Sequence, residues 1–178
     1  LSSLMGIGTL YPETVQIVTL ADSGINSVED LRGKKVSVGA PASGTFANAQ
    51  QILEIHGITM DDINPLHLSF AESVDGLQDG NIDAAVVTAG TPTSAIESLA
   101  AQRDVNIISI SDEKINELIE AYPFYAKDVI PAGTYGLAND VQTVAVMAML
   151  VTHKDMDEEI IYNVTKALYE NTNEIGHA

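Results

Sequence analysis

The stretch VGAPASGT, Val38 to Thr45, sets two glycines, a proline and two hydroxyl side chains between an apolar run, KVSVGA, and the helical pattern of FANAQQILEIHG. Gly39 and Gly44 let the backbone approach a ligand closely, and Ser43 and Thr45 add hydroxyls beside the unpaired N–H groups that begin the helix. A helix start carries partial positive charge, so the chemistry on offer is the binding of a carboxylate or phosphate without help from Arg or Lys. AGTPT, Ala89 to Thr93, follows another apolar run and could supply Gly90, Thr91 and Thr93 in the same manner. Capping and tight turning require these same residue types, so one such turn alone is first a structural feature. Two on one sheet edge leave the structural and the functional readings evenly matched.

Other chemistries fit the chain poorly. Gly39 and Gly44 have the spacing of a phosphate-binding loop, but Thr45 stands where that motif needs Lys, and no G-x-G-x-x-G run occurs. The histidines His56, His67, His153 and His177 show no paired metal spacing, and none is expected directly after a strand on the glycine-rich edge. His67 alternates with Leu66 and Leu68, which reads as a solvent-facing strand position. No G-x-S-x-G elbow is present. The acidic pairs Asp61/Asp62 and Glu158/Glu159 sit where helix starts favour carboxylates, and Met147 and Met149 read as core. No catalytic residue, metal site or cofactor is assigned.

Bulk composition narrows the class further. The 178 residues are 46% hydrophobic and 19% charged, a globular balance with enough chain for one substantial core. Against 25 acidic residues there are 8 basic ones, and the net charge of −17 repels nucleic acid and anionic lipid alike. There is no cysteine, which removes disulfides, thiolate metal sites and a Cys nucleophile. The longest apolar run, TVAVMAMLV, is too short to cross a bilayer. LSSLMGIGTLYPE lacks the basic start of a signal peptide, so an export signal is expected upstream of Leu1.

The elements that must position the turns follow from periodicity. VQIVTLAD, KVSVGA, LHLSF, IDAAVVTAG and VNIISI read as strands. NSVEDLRG reads as one helical turn begun by Ser27 with Asp30 three residues on, a capping-box variant. Between the later strands stand a helix with Phe46, Ala49, Ile52 and Leu53 on one face, closed by Gly57, then AESVDGLQDG and TPTSAIESLAAQ. Alternation from Lys35 to Ile110 implies a mostly parallel sheet covered by helices, with ligands collecting at the carboxyl ends of its strands. Beyond it come the helix SDEKINELIEAY, capped by Ser111 or Asp112, the connection PFYAKDVIPAGTYG without clear periodicity, and the long strand VQTVAVMAMLVTH. A last helix in KDMDEEIIYNVTKALYENTNEI takes Asp155 as cap and turns Ile160, Ile161, Val164 and Leu168 inward.

Five ordered blocks then carry a resemblance: LYPETVQIV, ADSGINSVEDLRGKKVSVGAPASGT, LQDGNIDAAVVTAGTP, GTYGLANDVQTVAV and IYNVTKALYE. Together they resemble the TAXI-type solute-binding proteins of tripartite ATP-independent periplasmic (TRAP) transporters. The resemblance implies an α/β, periplasmic-binding-protein-like (type II) fold of two lobes, with the parallel-sheet lobe complete and the other truncated at its N-terminal part. Residues 1–22 would belong to the partial first lobe and hinge, 23–112 to the second lobe, and 113–178 to the return. It also implies a small carboxylate or amino acid such as glutamate or glutamine as ligand, TRAP membrane permease subunits as partners, an extracytoplasmic place of work and a monomer. By position it assigns the ligand to Ser43, Gly44 and Thr45, beside Gly39 of the same turn, and less closely to Gly90, Thr91 and Pro92. Tyr11 and Tyr135 match tyrosines near the cleft or hinge, where a packing role fits equally. Ala42 departs from the usual pattern, which has Gly there. A ligand-sensing domain of a regulator with the same fold is the alternative, and an enzyme on a doubly wound sheet is the third class.

Overall fold

The computed structural model describes residues 3–172; the expected end of the last helix at 173–175 and His177 lie outside them. Contacts divide the chain into two compact units, Pro12–Val146 and a second formed by Leu1–Tyr11 with Met147–Ala178.

The larger unit is built on one sheet. Its strands are the Pro12–Leu20 part of β1 (Leu4–Leu20), β2 (Lys35–Ser37), β3 (Asn64–Leu66), β4 (Ala84–Ala89), β5 (Val105–Ile107), β6 (Tyr125–Ile130) and the start of β7 (Val141–His153). The order is β3-β2-β4-β1-β7-β6, with β5 paired to β1. β2 is parallel to both β3 and β4, with Ser37 opposite Leu66 and Ala85. β1 runs antiparallel to β4 (Thr14 opposite Ala89) and to β5 (Val18 opposite Ile107). The alternating strand–helix pattern therefore gives four strands that run the same way, of which β2, β3 and β4 pair in parallel while the antiparallel β1 fills the place between β4 and β5.

Side-chain alternation divides the core between the two sheet faces. Val15, Ile17, Val36, Val38, Ala84 and Val86 face α1 (Gly44–Ile55) and α4 (Asp112–Ala121). Val18, Ala85 and Val87 face α2 (Phe70–Gln78) and α3 (Ser94–Ala100). Ile52 and Leu53 of α1, Leu77 of α2 and Leu99 of α3 are each at most 3% exposed, and burying each side chain contributes about 1.5–3 kcal/mol. Helices thus cover both faces of the sheet, and the turns that enter them lie at its edge.

Two sequence readings shift in this unit. LHLSF is not a strand: β3 ends at Leu66, and Ser69 caps α2 in a capping box with Glu72, which removes residues 67–69 from both elements. PFYAKDVIPAGTYG contains β6, paired with β7 from Tyr125 opposite Val146 to Ile130 opposite Val141. β6 carries few inward residues because it lies at the sheet edge, so its pattern is weak.

In the smaller unit α5 (Glu158–Glu170) starts from Asp157, whose side chain accepts the N–H groups of Glu159 and Ile160; Asp155 is not the cap. None of its residues is buried, and Ile160, Val164, Met147 and Met149 are all exposed. Ile161 and Leu168 are half-buried, so the expected inward face of this helix is met only in part, and the expected core role of the two methionines is not met. Within the unit the Tyr169 hydroxyl donates to the Thr9 carbonyl, over Gly8.

Carboxylates fix several helix starts. Asp30 accepts from the Asn26 and Ser27 N–H groups, Asp62 from Thr59, and Glu72 from the Ser69 hydroxyl and N–H, and each carboxyl is held below its usual range by those bonds. Folded values below the unfolded ones stabilise the fold fully above the ordinary carboxylate range and lose that contribution as pH falls through the lowered values. Stability is expected to decline below about pH 4, and the variant Asp62→Asn/Glu72→Gln should show a shallower decline in urea titrations between pH 5 and pH 2.

Candidate functional site

β2 delivers the first turn. Val38 N–H still pairs with the Leu66 carbonyl, after which Gly39 turns with φ +80°. A Cβ at Gly39 would meet Thr45 Cβ at 2.9 Å and Ser43 Oγ at 3.2 Å, so glycine is required here both by the backbone and by the close approach of the loop to its own helix. Ala42 has φ +61°, a left-handed conformation that a glycine would adopt freely. Ala42→Gly is expected to stabilise the protein by about 0.5–1 kcal/mol, read as a raised denaturation midpoint.

Ser43 then caps α1: its Oγ accepts the Phe46 N–H at 3.1 Å, and its own N–H donates to the Ala40 carbonyl. The Ser43 hydroxyl is thereby engaged in the cap. The N–H groups of Gly44 and Thr45, first in the helix, have no intrahelical acceptor, Gly44 is exposed, and nothing lies within 4 Å of where its Cβ would be. The Thr45 side chain is buried against Gly39. What this turn offers a ligand is backbone N–H at a helix start of 12 residues.

The second turn lies at the carboxyl end of β4 and so, because β2 and β4 are parallel, on the same sheet edge. It is held by a ring of hydrogen bonds. The Tyr135 hydroxyl accepts the Thr93 N–H at 2.6 Å and donates to Gln16 Oε1 at 2.7 Å; Gln16 Nε2 donates to Thr93 Oγ1 at 2.9 Å, which donates to the Gly90 carbonyl at 2.8 Å. Gln16 is fully buried, and burial raises the Tyr135 pKa above its ordinary value. Thr93 is the cap residue of α3, so the Tyr135 hydroxyl occupies a donor that an anion would otherwise take. Thr91 Oγ1 is buried without a partner, the Thr91–Pro92 peptide is cis, and Pro92 is exposed.

A second polar group fixes α1 to the sheet. Buried Asn48 donates to the Tyr125 hydroxyl at 2.6 Å and accepts from Thr88 Oγ1 at 3.1 Å, while Tyr125 donates to Gln51 Oε1 at 2.7 Å. Burial pushes the Tyr125 pKa up to about 12, so this hydroxyl keeps its proton at any physiological pH. These bonds join the first turns of α1 to β4 and β6 directly behind the first turn.

Of the expected site residues, Gly39, Ser43, Gly44 and Thr45 form one turn, and Gly90, Thr91 and Pro92 another with Tyr135 bonded to it. Tyr11 belongs to the smaller unit, where it is half exposed. Sequence reasoning missed Gln16, Asn48, Thr88 and His67. The expectation that no histidine directly follows a strand on this edge is overturned: His67 follows β3, and its Nδ1 lies 2.8 Å from the Gly39 carbonyl. The signal was S-x-x-E at Ser69 to Glu72, which dates the start of α2 and returns His67 to the loop. Among the described residues no group of three or more His, Asp or Glu is placed to hold a metal ion, and no helix is long and apolar enough to cross a membrane.

The fold is periplasmic-binding-protein-like. The chain is similar to the periplasmic aliphatic sulphonate binding protein SsuA from Escherichia coli (18% identity, TM-score 0.55, covering 97% of this chain and 49% of that one). It is also similar to an ancestral arginine-binding protein bound to arginine (19%, 0.57, 97% and 60%) and to the P235GK mutant of ArgBP from T. maritima (14%, 0.57, 99% and 58%). It spans between about half and three-fifths of the length of these structures. A match over residues 1–178 shows that the chain belongs to the NMT1-like family.

Proposed function

We propose that the protein is the solute receptor of a TRAP transporter of the TAXI type, working outside the cytoplasm, and that it binds a small carboxylate, foremost an amino acid such as glutamate or glutamine. The observation that carries this reading is the open start of α1: two N–H groups at the dipole end of a 12-residue helix, on an exposed glycine turn braced from behind by Asn48 and Tyr125. The five sequence blocks that resemble TAXI receptors support the transporter class, and the fold shared with binding proteins supports capture without turnover.

In this reading the turn takes the carboxylate by backbone hydrogen bonds, and closure of the full-length receptor around the solute presents the loaded form to the permease subunits. No bond is made or broken, and the protein is not an enzyme. With a net charge of −17 the protein repels a dianion at a distance, so a ligand of zero net charge such as glutamine is captured faster than an acid of two negative charges, most visibly at low salt.

Calorimetric titration of the full-length protein, unfolded and refolded to strip bound solute, with glutamate, glutamine and a panel of small carboxylates tests the reading. Saturable one-to-one binding of a member of the panel is expected. Absence of heat from every member, in a sample shown to be folded, contradicts it.

A further inference from the structure

We propose that His67 is the positioning residue that holds the Gly39–Ser43 turn in its anion-accepting shape; the inference rests on the reading of that turn as the ligand site. The imidazole touches both ends of the turn. At the start, the Gly39 carbonyl can only accept, so Nδ1 carries the proton and donates across 2.8 Å. That bond fixes the peptide plane between Gly39 and Ala40, at the residue where the backbone enters the left-handed region. At the far end, the ring packs on Phe46 in the first turn of α1, with centroids 5.6 Å apart and planes inclined by 52°. Phe46 is also the residue whose N–H the Ser43 hydroxyl caps.

His67 itself is exposed, so filling the core does not account for its placement. β3, which delivers it, is the edge strand beside β2, and Val38 N–H bonds to the carbonyl of Leu66 just before it. The chain thus sets the imidazole at the carboxyl end of one parallel strand to brace the turn leaving the next.

The test uses the full-length protein with His67→Ala and His67→Asn. The Asn amide nitrogen stands the same number of bonds from Cα as Nδ1 and can renew the donation to Gly39, whereas Ala cannot. Hydrogen exchange at the Ser43 and Phe46 amides is expected to quicken about tenfold in His67→Ala, with a similar loss of glutamate affinity, and both should return toward the parent in His67→Asn. Unchanged exchange in His67→Ala, or an acceleration that Asn does not reverse, overturns the proposal. The exchange readout needs no ligand. A parent protein that binds no glutamate therefore counts against glutamate as the solute, while the exchange comparison still decides the role of His67.

Discussion

Gly39→Val is expected to abolish carboxylate binding and to lower stability by about 2–5 kcal/mol, the sum of about 1–2 for a side chain forced into the left-handed region and about 1–3 for overpacking. The overlap is specific: the new Cβ would lie 2.9 Å from Thr45 Cβ and 3.2 Å from Ser43 Oγ. Neither neighbour is the free end of a flexible chain, since Thr45 is buried and branched at that atom and Ser43 is committed to its cap. The turn must open, and the start of α1 moves with it. Urea denaturation reads the stability, and glutamate or glutamine titration reads the binding. Gly44→Ala is the informative contrast, because its Cβ meets nothing within 4 Å; the fold should hold, and any loss of affinity then belongs to the ligand.

Tyr135→Phe is expected to cost about 2–4 kcal/mol, through a buried amide oxygen and a half-buried N–H left without partners rather than through the one bond each loses. Gln16 Oε1 loses its donor inside a fully buried side chain, and the Thr93 N–H loses its acceptor at the start of α3. Adding Gln16→Leu removes the orphaned amide, so the double variant should be less destabilised than the sum of the two single ones in denaturant titrations. A Tyr135→Phe protein with unchanged stability would show that water satisfies both groups. The first turn contains none of these atoms, so its part of the binding should survive.

These two residues also mark what a sequence can and cannot display. Gly39 is legible locally: a strand, a glycine and a capping serine within six positions name a turn and its helix. The tie between Tyr135 and Gln16 spans 119 positions, and nothing in GTYG or in VQIV announces it. Asn48 likewise sits among helix formers, and its partners arrive from β4 and β6, 40 and 77 residues away.

Strands were readable where they are central. β4 opens on the apolar run Ala84 to Val87, whereas β6 at the edge alternates weakly and β1 upstream of Val15 carries Gly6, Gly8 and Pro12, which argue against a strand in sequence. The apolar stripe of α5 shows which side of the helix favours burial, but periodicity does not name the surface that covers it, and on that side Ile161 and Leu168 are half-buried while Ile160 and Val164 stay exposed. His67 was lost for a smaller reason: reading LHLSF as alternation overlooked the capping box one step later.

The most direct test of the central claim is an amide-resolved NMR titration of the full-length, ligand-stripped protein with glutamine and then glutamate. The account expects the Gly44 and Thr45 amide resonances to move together and saturably, with the downfield proton shift of N–H groups that gain an anionic acceptor. Saturable binding that leaves both amides unmoved would place the carboxylate elsewhere and contradict it.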